Sequence, residues 1–190
     1  WSDGDDFDAD DLMFWYESVL LNEDLTPSVP TWVQNADGSP VTTAMGLGVN
    51  VDHGFEDAPE ADIVLVPGGN VAAMSKDPRT LDWLRARSGT ADQVLSVCNG
   101  AFIVAGAGLL DGEKATTFHR LFDEFERDYP EVTLVTDQRW VDNGKVVTSA
   151  GLASGIDAAL HVVAERLGER KARSIALHLE YDWSPRQGFV

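Results

Sequence analysis

Apolar residues along this chain fall in short unbroken runs separated by turn-forming clusters, and amphipathic segments alternate with those runs. Asp62-Ile63-Val64-Leu65-Val66 is a β-branched run that stops at Pro67-Gly68-Gly69, which reads as a buried strand feeding a turn. Asp77 to Arg87 has helical spacing, with Asp77 as N-cap and Pro78 at the first helical position. Gln93 to Val97 is a second buried strand. It runs into Cys98-Asn99-Gly100 and then the apolar helix Ala101 to Ala107. Further strands are expected at Lys114–Thr117, Val132–Val135 and Lys145–Thr148. Further helices are expected at Leu121–Asp128, from Ser154 to Leu167 and from Glu169 to Leu179. Towards the start, Leu12 to Leu21 reads as a helix closed by Asn22 and Pro27. Residues 31–35 and 47–51 read as strands around the turn Ala36-Asp37-Gly38-Ser39-Pro40.

Doubly apolar strands alternating with helices predict an α/β fold with a mostly parallel central sheet covered on both faces. The 190 residues suit one domain with a substantial core, and no repeat or low-complexity linker divides them. In open parallel sheets, chemistry sits beyond the carboxyl ends of the strands. Three strand ends carry small or special residues: Pro67-Gly68-Gly69, Cys98-Asn99-Gly100 and Ser149-Ala150-Gly151.

Charge narrows the function classes. With 14 basic and 32 acidic side chains the net charge is −18, which opposes contact with phosphate backbones, so no nucleic-acid partner is expected. No apolar run reaches the roughly 20 residues that span a bilayer, so no membrane partner is expected either. With no basic-plus-apolar leader in view, the expected location is cytoplasmic. The chain opens on Trp1, which suggests that its genetic start lies upstream. The acid is unevenly made: 21 Asp to 11 Glu, against 10 Arg to 4 Lys. Short carboxylates and scarce lysine suggest a surface adapted to high salt, where the Debye length shrinks to about 3 Å at 1 M.

Cys98 is the single cysteine, so no internal disulfide forms. A tight strand-to-helix turn presents its central side chain above the sheet, as in the nucleophile elbow of hydrolases. Backbone N–H groups at a helix start favour the thiolate there. Gly68 and Gly69 offer backbone N–H groups beside it for a developing negative charge, with the Asn99 N–H as a second donor. Other constellations are weaker. Asp6, Asp8, Asp10 and Glu17 fit a calcium-loop spacing, but Asp11 stands where that loop requires glycine, which leaves a solvated acidic loop. His161 lies within an apolar helix and His178 near a helix end, and both read as structural.

The segments Ala61–Gly69, Val97–Phe102 and Ala105–Gly112, with Ala115-Thr116-Thr117, Thr148–Gly151 and Gly155-Ile156-Asp157, together resemble the ThiJ/PfpI superfamily. Asp11-Leu12 with Tyr16-Glu17, and Leu179-Glu180-Tyr181-Asp182, look most like its isonitrile hydratase branch. The resemblance implies a flavodoxin-like three-layer sandwich, a homodimer, a small-molecule substrate, and no metal or other cofactor. It implies Cys98 as nucleophile. Asp11 would hydrogen-bond the cysteine, deliver a proton to the isonitrile carbon and activate water. Gly69 and Asn99 would line an oxyanion site. The sequence departs from that pattern in three places. Asn99 stands where hydratases usually carry threonine. Phe118 takes the family histidine's place, so His119, one later, is the candidate to face the pocket. Only Trp1 and Ser2 remain of the family's first strand, which is expected upstream of residue 1. A glutamine amidotransferase, whose chemistry wants a catalytic His-x-Glu pair, is not favoured: His178-Leu179-Glu180 has that spacing, but His178 near a helix end reads as structural. Asn99 argues against the peptidase pattern, which has histidine there. Two alternatives to the hydratase stay open: a glyoxalase or deglycase acting on α-oxoaldehydes, and a redox- or ligand-sensing domain.

Overall fold

A computed structural model describes residues 41–42 and 48–184. The expected helix at 12–21, the strand at 31–35 and the turn at 36–40 lie outside the described residues. The chain divides into two compact units, Trp1–Pro59 and Glu60–Val190. In the first, β1 (Val41–Thr42) pairs antiparallel with β2 (Gly48–Val49), the core of the strand expected at 47–51. Beyond β2, the Gly54 N–H donates to Asp57 Oδ1 at 2.8 Å, and this bond holds the Asp57 carboxyl below its ordinary value.

The second unit is built on a four-stranded sheet with the order β3-β4-β8-β7. β3 (Ile63–Val66), β4 (Gln93–Ser96) and β8 (Val146–Ser149) run parallel, and β7 (Trp140–Asp142) is antiparallel to β8. Alternate side chains of the central strands enter opposite cores, as the two-residue period of a strand requires. Val94 and Val146 pack with Leu84, Phe102, Val104 and Phe125 on one face. Leu95 and Val147 pack with Ala158 and Val162 on the other. Helices supply those partners: α1 (Pro78–Thr90), α2 (Ala101–Gly106) and α3 (Phe122–Asp128) on the first face, α4 (Ser154–Leu167) on the second. α5 (Glu169–His178) packs on α4. The result is the expected mixed α/β fold with a mostly parallel central sheet.

Local signals set most boundaries. Asp77 caps α1 as anticipated: one carboxylate oxygen accepts from the Thr80 hydroxyl at 2.6 Å and from the Thr80 N–H at 3.0 Å. Those bonds hold the Asp77 carboxyl below its ordinary value. Three expectations change. β3, expected as a buried strand, buries Val64 and Val66 but leaves Ile63 and Leu65 exposed on its other face. The segment expected as strand 114–117 pairs only through β5 (Lys114–Ala115), which joins β6 (Thr133–Leu134) in a separate parallel pair. β7 was not anticipated at all. Among the described residues, no helix is long and apolar enough to cross a membrane.

Candidate functional site

Because β3, β4 and β8 are parallel, their carboxyl ends lie along one margin of the sheet, and hydrogen bonds draw them together. The Val97 N–H donates to Val66 O at 3.0 Å, joining the end of β4 to the end of β3. The Cys98 N–H donates to Ala150 O at 3.2 Å, joining it to the end of β8. The Cys98 carbonyl accepts from Thr117 Oγ1 at 3.0 Å, and Thr117 is itself fully buried. Both backbone polar groups of Cys98 are therefore held by neighbouring segments.

Those ties fix an unusual conformation. Cys98 has φ of +58°, in the left-handed region that costs a residue with a Cβ about 1–2 kcal/mol. Such strain persists where the surroundings over-determine it, and it marks sites where one side chain must be presented in one direction. Val97 is still extended at φ −117°, ψ 134°, while residues 98–100 form a single 3-10 turn leading into α2. The chain thus turns from strand to helix within one residue, and the half-buried thiol sits at the corner.

The turn after β3 is pressed against this corner. A Cβ on Gly68 would lie 2.7 Å from both Cys98 Cβ and Asn99 Oδ1. A Cβ on Gly100 would lie 2.9 Å from Pro67 O and closer still to Val66 O. Only glycine permits this approach at either position. The Asn99 side chain completes the junction: the Gly69 N–H donates to Asn99 Oδ1 at 2.8 Å, and Asn99 Nδ2 donates to Gly69 O at 2.7 Å. The Gly69 N–H, expected as an open donor for a substrate anion, is thus already engaged within the protein. The Asn99 N–H lies in the first turn of the 3-10 segment, where N–H groups lack intrahelical partners.

The remaining candidates fall as follows. His119 is exposed at the start of a 3-10 turn (His119–Leu121), its ring edge-on to Phe118 at 4.7 Å. Phe118 packs onto Gly151, where a Cβ would meet its ring at 2.5 Å. The segment carrying His119 is therefore anchored to the β8 end and, through Thr117, to Cys98. Asp11 lies outside the described residues. His161 meets Asp142 Oδ2 at 2.7 Å and lies against Trp140.

Three participants escaped sequence reading. Thr117 was visible only as part of a motif, and Ala150 acts through its backbone carbonyl. The third is Arg139, whose Nε donates to Asp157 Oδ2 at 2.7 Å with Nη2 on the same oxygen. The Tyr181 hydroxyl donates to that oxygen too, at 3.0 Å, and the Trp183 indole donates to Asp157 O at 3.3 Å. Since the Ala150 N–H donates to Arg139 O at 2.8 Å, this cluster adjoins the carbonyl that holds Cys98.

Comparison with known proteins agrees with this fold. Residues 18–165 match the model of the DJ-1/PfpI family. The chain is 35% identical over 163 residues to the isonitrile hydratase of Pseudomonas putida, covering 84% of this chain and 69% of that protein. It is 31% identical over 144 residues to the HTH-type transcriptional regulator CdhR of Pseudomonas aeruginosa, covering 76% of this chain but only 43% of the regulator. Among solved structures, a THiJ/PfpI family protein from Pseudomonas syringae superposes with a TM-score of 0.73 at 28% identity, covering 93% of this chain and 72% of that one.

Proposed function

Since the chain belongs to the DJ-1/PfpI family, we propose that it is a cysteine-dependent enzyme that hydrates an isonitrile, or a similar small electrophile, to an N-substituted formamide. The observation that carries the reading is Cys98 at φ +58°, tied by its own N–H and carbonyl to two other segments and through Val97 to a third, at the convergence of the strand ends. The 35% identity to an isonitrile hydratase directs it to this reaction rather than another.

The chemistry balances without a redox partner. The Cys98 thiolate forms a C–S bond to the terminal isonitrile carbon while that carbon gains a proton from the Asp11 carboxyl, giving a thioimidate. Water, losing a proton to the Asp11 carboxylate, then adds to the same carbon. The hydroxyl proton passes to the nitrogen, the C–S bond breaks as the C=O bond forms and the thiolate returns, leaving R–NH–CHO and a reprotonated Asp11. A thiol nucleophile with a carboxyl as acid and then base is an ordinary division of labour in covalent catalysis. The family resemblance further implies that the enzyme works as a homodimer.

Turnover of a model isonitrile, followed as formamide release, tests the mechanism. Cys98→Ala and Asp11→Asn should each abolish it, and retained turnover in Cys98→Ala overturns the proposal. The likeness to CdhR favours one second reading, a ligand-sensing domain. That reading expects saturable binding of a small electrophile without turnover of either an isonitrile or methylglyoxal. Formation of lactate from methylglyoxal alone would instead identify a glyoxalase.

A further inference from the structure

The Asn99–Gly69 contact has a consequence for how the site works. The partners themselves identify the two ends of the carboxamide, because an N–H needs an acceptor and a carbonyl needs a donor. The side chain therefore pairs with Gly69 as a neighbouring strand would. The acceptor it places on the Gly69 N–H, at 2.8 Å, stands where a substrate oxygen would have to be. Donors that stabilise a transition state work by pointing at the atom where charge develops. Asn99 Oδ1 and that atom compete for one N–H.

The glycine turn cannot yield by moving inward, because Gly68 is already wedged against Cys98 and Asn99. Asn99 is only half-buried, and its two bonds lie at exposed atoms, so water can replace each partner when the side chain swings outward. We infer that the Asn99 carboxamide is a gate on the Gly69 donor: it holds the turn in the resting site and must release that N–H before the oxygen of a tetrahedral adduct on Cys98 can use it. The inference rests on Cys98 acting as the nucleophile. It assigns Asn99 a positioning role that a threonine at this position would not fill in the same way.

Two reactions of the intact protein with Cys98, its only cysteine, separate gate from brace. Methylglyoxal forms a hemithioacetal: sulfur bonds to the carbonyl carbon, and the C=O pair moves to oxygen, which takes a proton from water. This adduct needs an oxygen-binding donor. Iodoacetamide alkylates the same sulfur by displacing iodide and builds no oxyanion. The quantity read is the ratio of the variant's hemithioacetal association constant to that of the native protein, each expressed per neutral thiol, with the ionised fraction taken from the pH dependence of iodoacetamide alkylation. Asn99→Ala removes the competing acceptor and should raise this ratio to about five, the worth of one ordinary hydrogen bond. Asn99→Asp substitutes a charged acceptor, which holds an N–H more strongly, and should lower the ratio below unity. Opposite signs are the mark of a gate. A shift in the same direction in both variants, or in neither, overturns it and leaves Asn99 a brace. Should Asn99→Ala fail to fold, Asn99→Ser replaces it with the same expected sign. Failure of iodoacetamide to label the native protein overturns the nucleophile reading itself. Normal labelling with an unmoved ratio overturns only the gate.

Discussion

Gly100 lets the β4 turn and the β3 turn touch, and the two backbones meet without room for a methyl group. Gly100→Ala would drive a Cβ into Val66 O and Pro67 O, which are main-chain atoms and cannot rotate away. Overpacking of this kind costs about 1–3 kcal/mol. Gly89, near the end of α1, has nothing within 4 Å of its Cβ position and is exposed. Gly89→Ala should therefore stabilise by about 0.5–1 kcal/mol, the ordinary gain from removing helical glycine. Urea unfolding of the two variants should thus give shifts of opposite sign, and a harmless Gly100→Ala would mean that the two turns are not in contact. The position of Cys98 was legible because a buried strand, a lone cysteine and a glycine announce a tight turn. The engagement of the Gly69 N–H was not legible. It depends on where an asparagine side chain points across 30 residues of sequence, and no periodicity encodes that. His119 was visible as a candidate, but its exposed place on a 3-10 turn follows from Phe118 taking the Gly151 contact, which is a packing outcome.

Among the elements, the strands of the central sheet were easiest to read, since β4 and β8 are buried at every position and, Gln93 apart, appear as runs of apolar or small residues. β7 has only three residues, alternating half-buried, buried and exposed, and such a pattern is too short to stand out. Its signal was the Asn143-Gly144 pair that follows it, a strong short-range mark of a hairpin; Gly144 indeed adopts φ +80° and leads into β8. The opposite end of β7 carries Arg139, which joins β7 to α4 through Asp157 and to the segment after α5 through Tyr181. Removing one partner of a buried ion pair strands the other. Asp157→Asn should cost about 3 kcal/mol, the low end for such losses because Arg139 keeps 24% of its side chain exposed. A cost below about 1 kcal/mol, the size of a surface pair, would show that solvent already screens the cluster. Tyr181 adds a pH signature. Burial first, then its bond to Asp157, raises its phenol above the ordinary value of 10.0. Below pH 10 folded and unfolded chains both keep the proton, so this contribution is whole. Above it the unfolded chain ionises first, and stability falls until the folded phenol also ionises. Tyr181→Phe should flatten that alkaline decline in unfolding free energy; an identical slope in the variant would remove Tyr181 as its source.

At the scale of the whole molecule, charge is the feature that neither fold nor family requires. Thirty-two acidic side chains against fourteen basic ones leave −18 on 190 residues. Arg139 apart, basic residues that pair, such as Arg85 with Asp82, Arg127 with Asp128 and Arg173 with Glu169, lie in exposed positions where each pair is worth little. The excess carboxylates therefore repel one another in dilute buffer, and self-repulsion opposes the compact state. Salt shortens the range of that repulsion from about 30 Å at 0.01 M to about 3 Å at 1 M. An excess of Asp over Glu and of Arg over Lys adds to the argument, because short carboxylates gather hydrated cations closely while few long apolar stems remain on the surface. The melting temperature is accordingly expected to rise steadily as potassium chloride increases from millimolar to molar, with any turnover of the model isonitrile following it. Mild acid should reproduce part of the gain by neutralising surface carboxylates. Chloride is the proper salt for the measurement, since sulfate stabilises most proteins by exclusion regardless of their charge. A melting temperature that stays flat or falls across the chloride series would show that the acidity of this surface serves some end other than tolerance of salt.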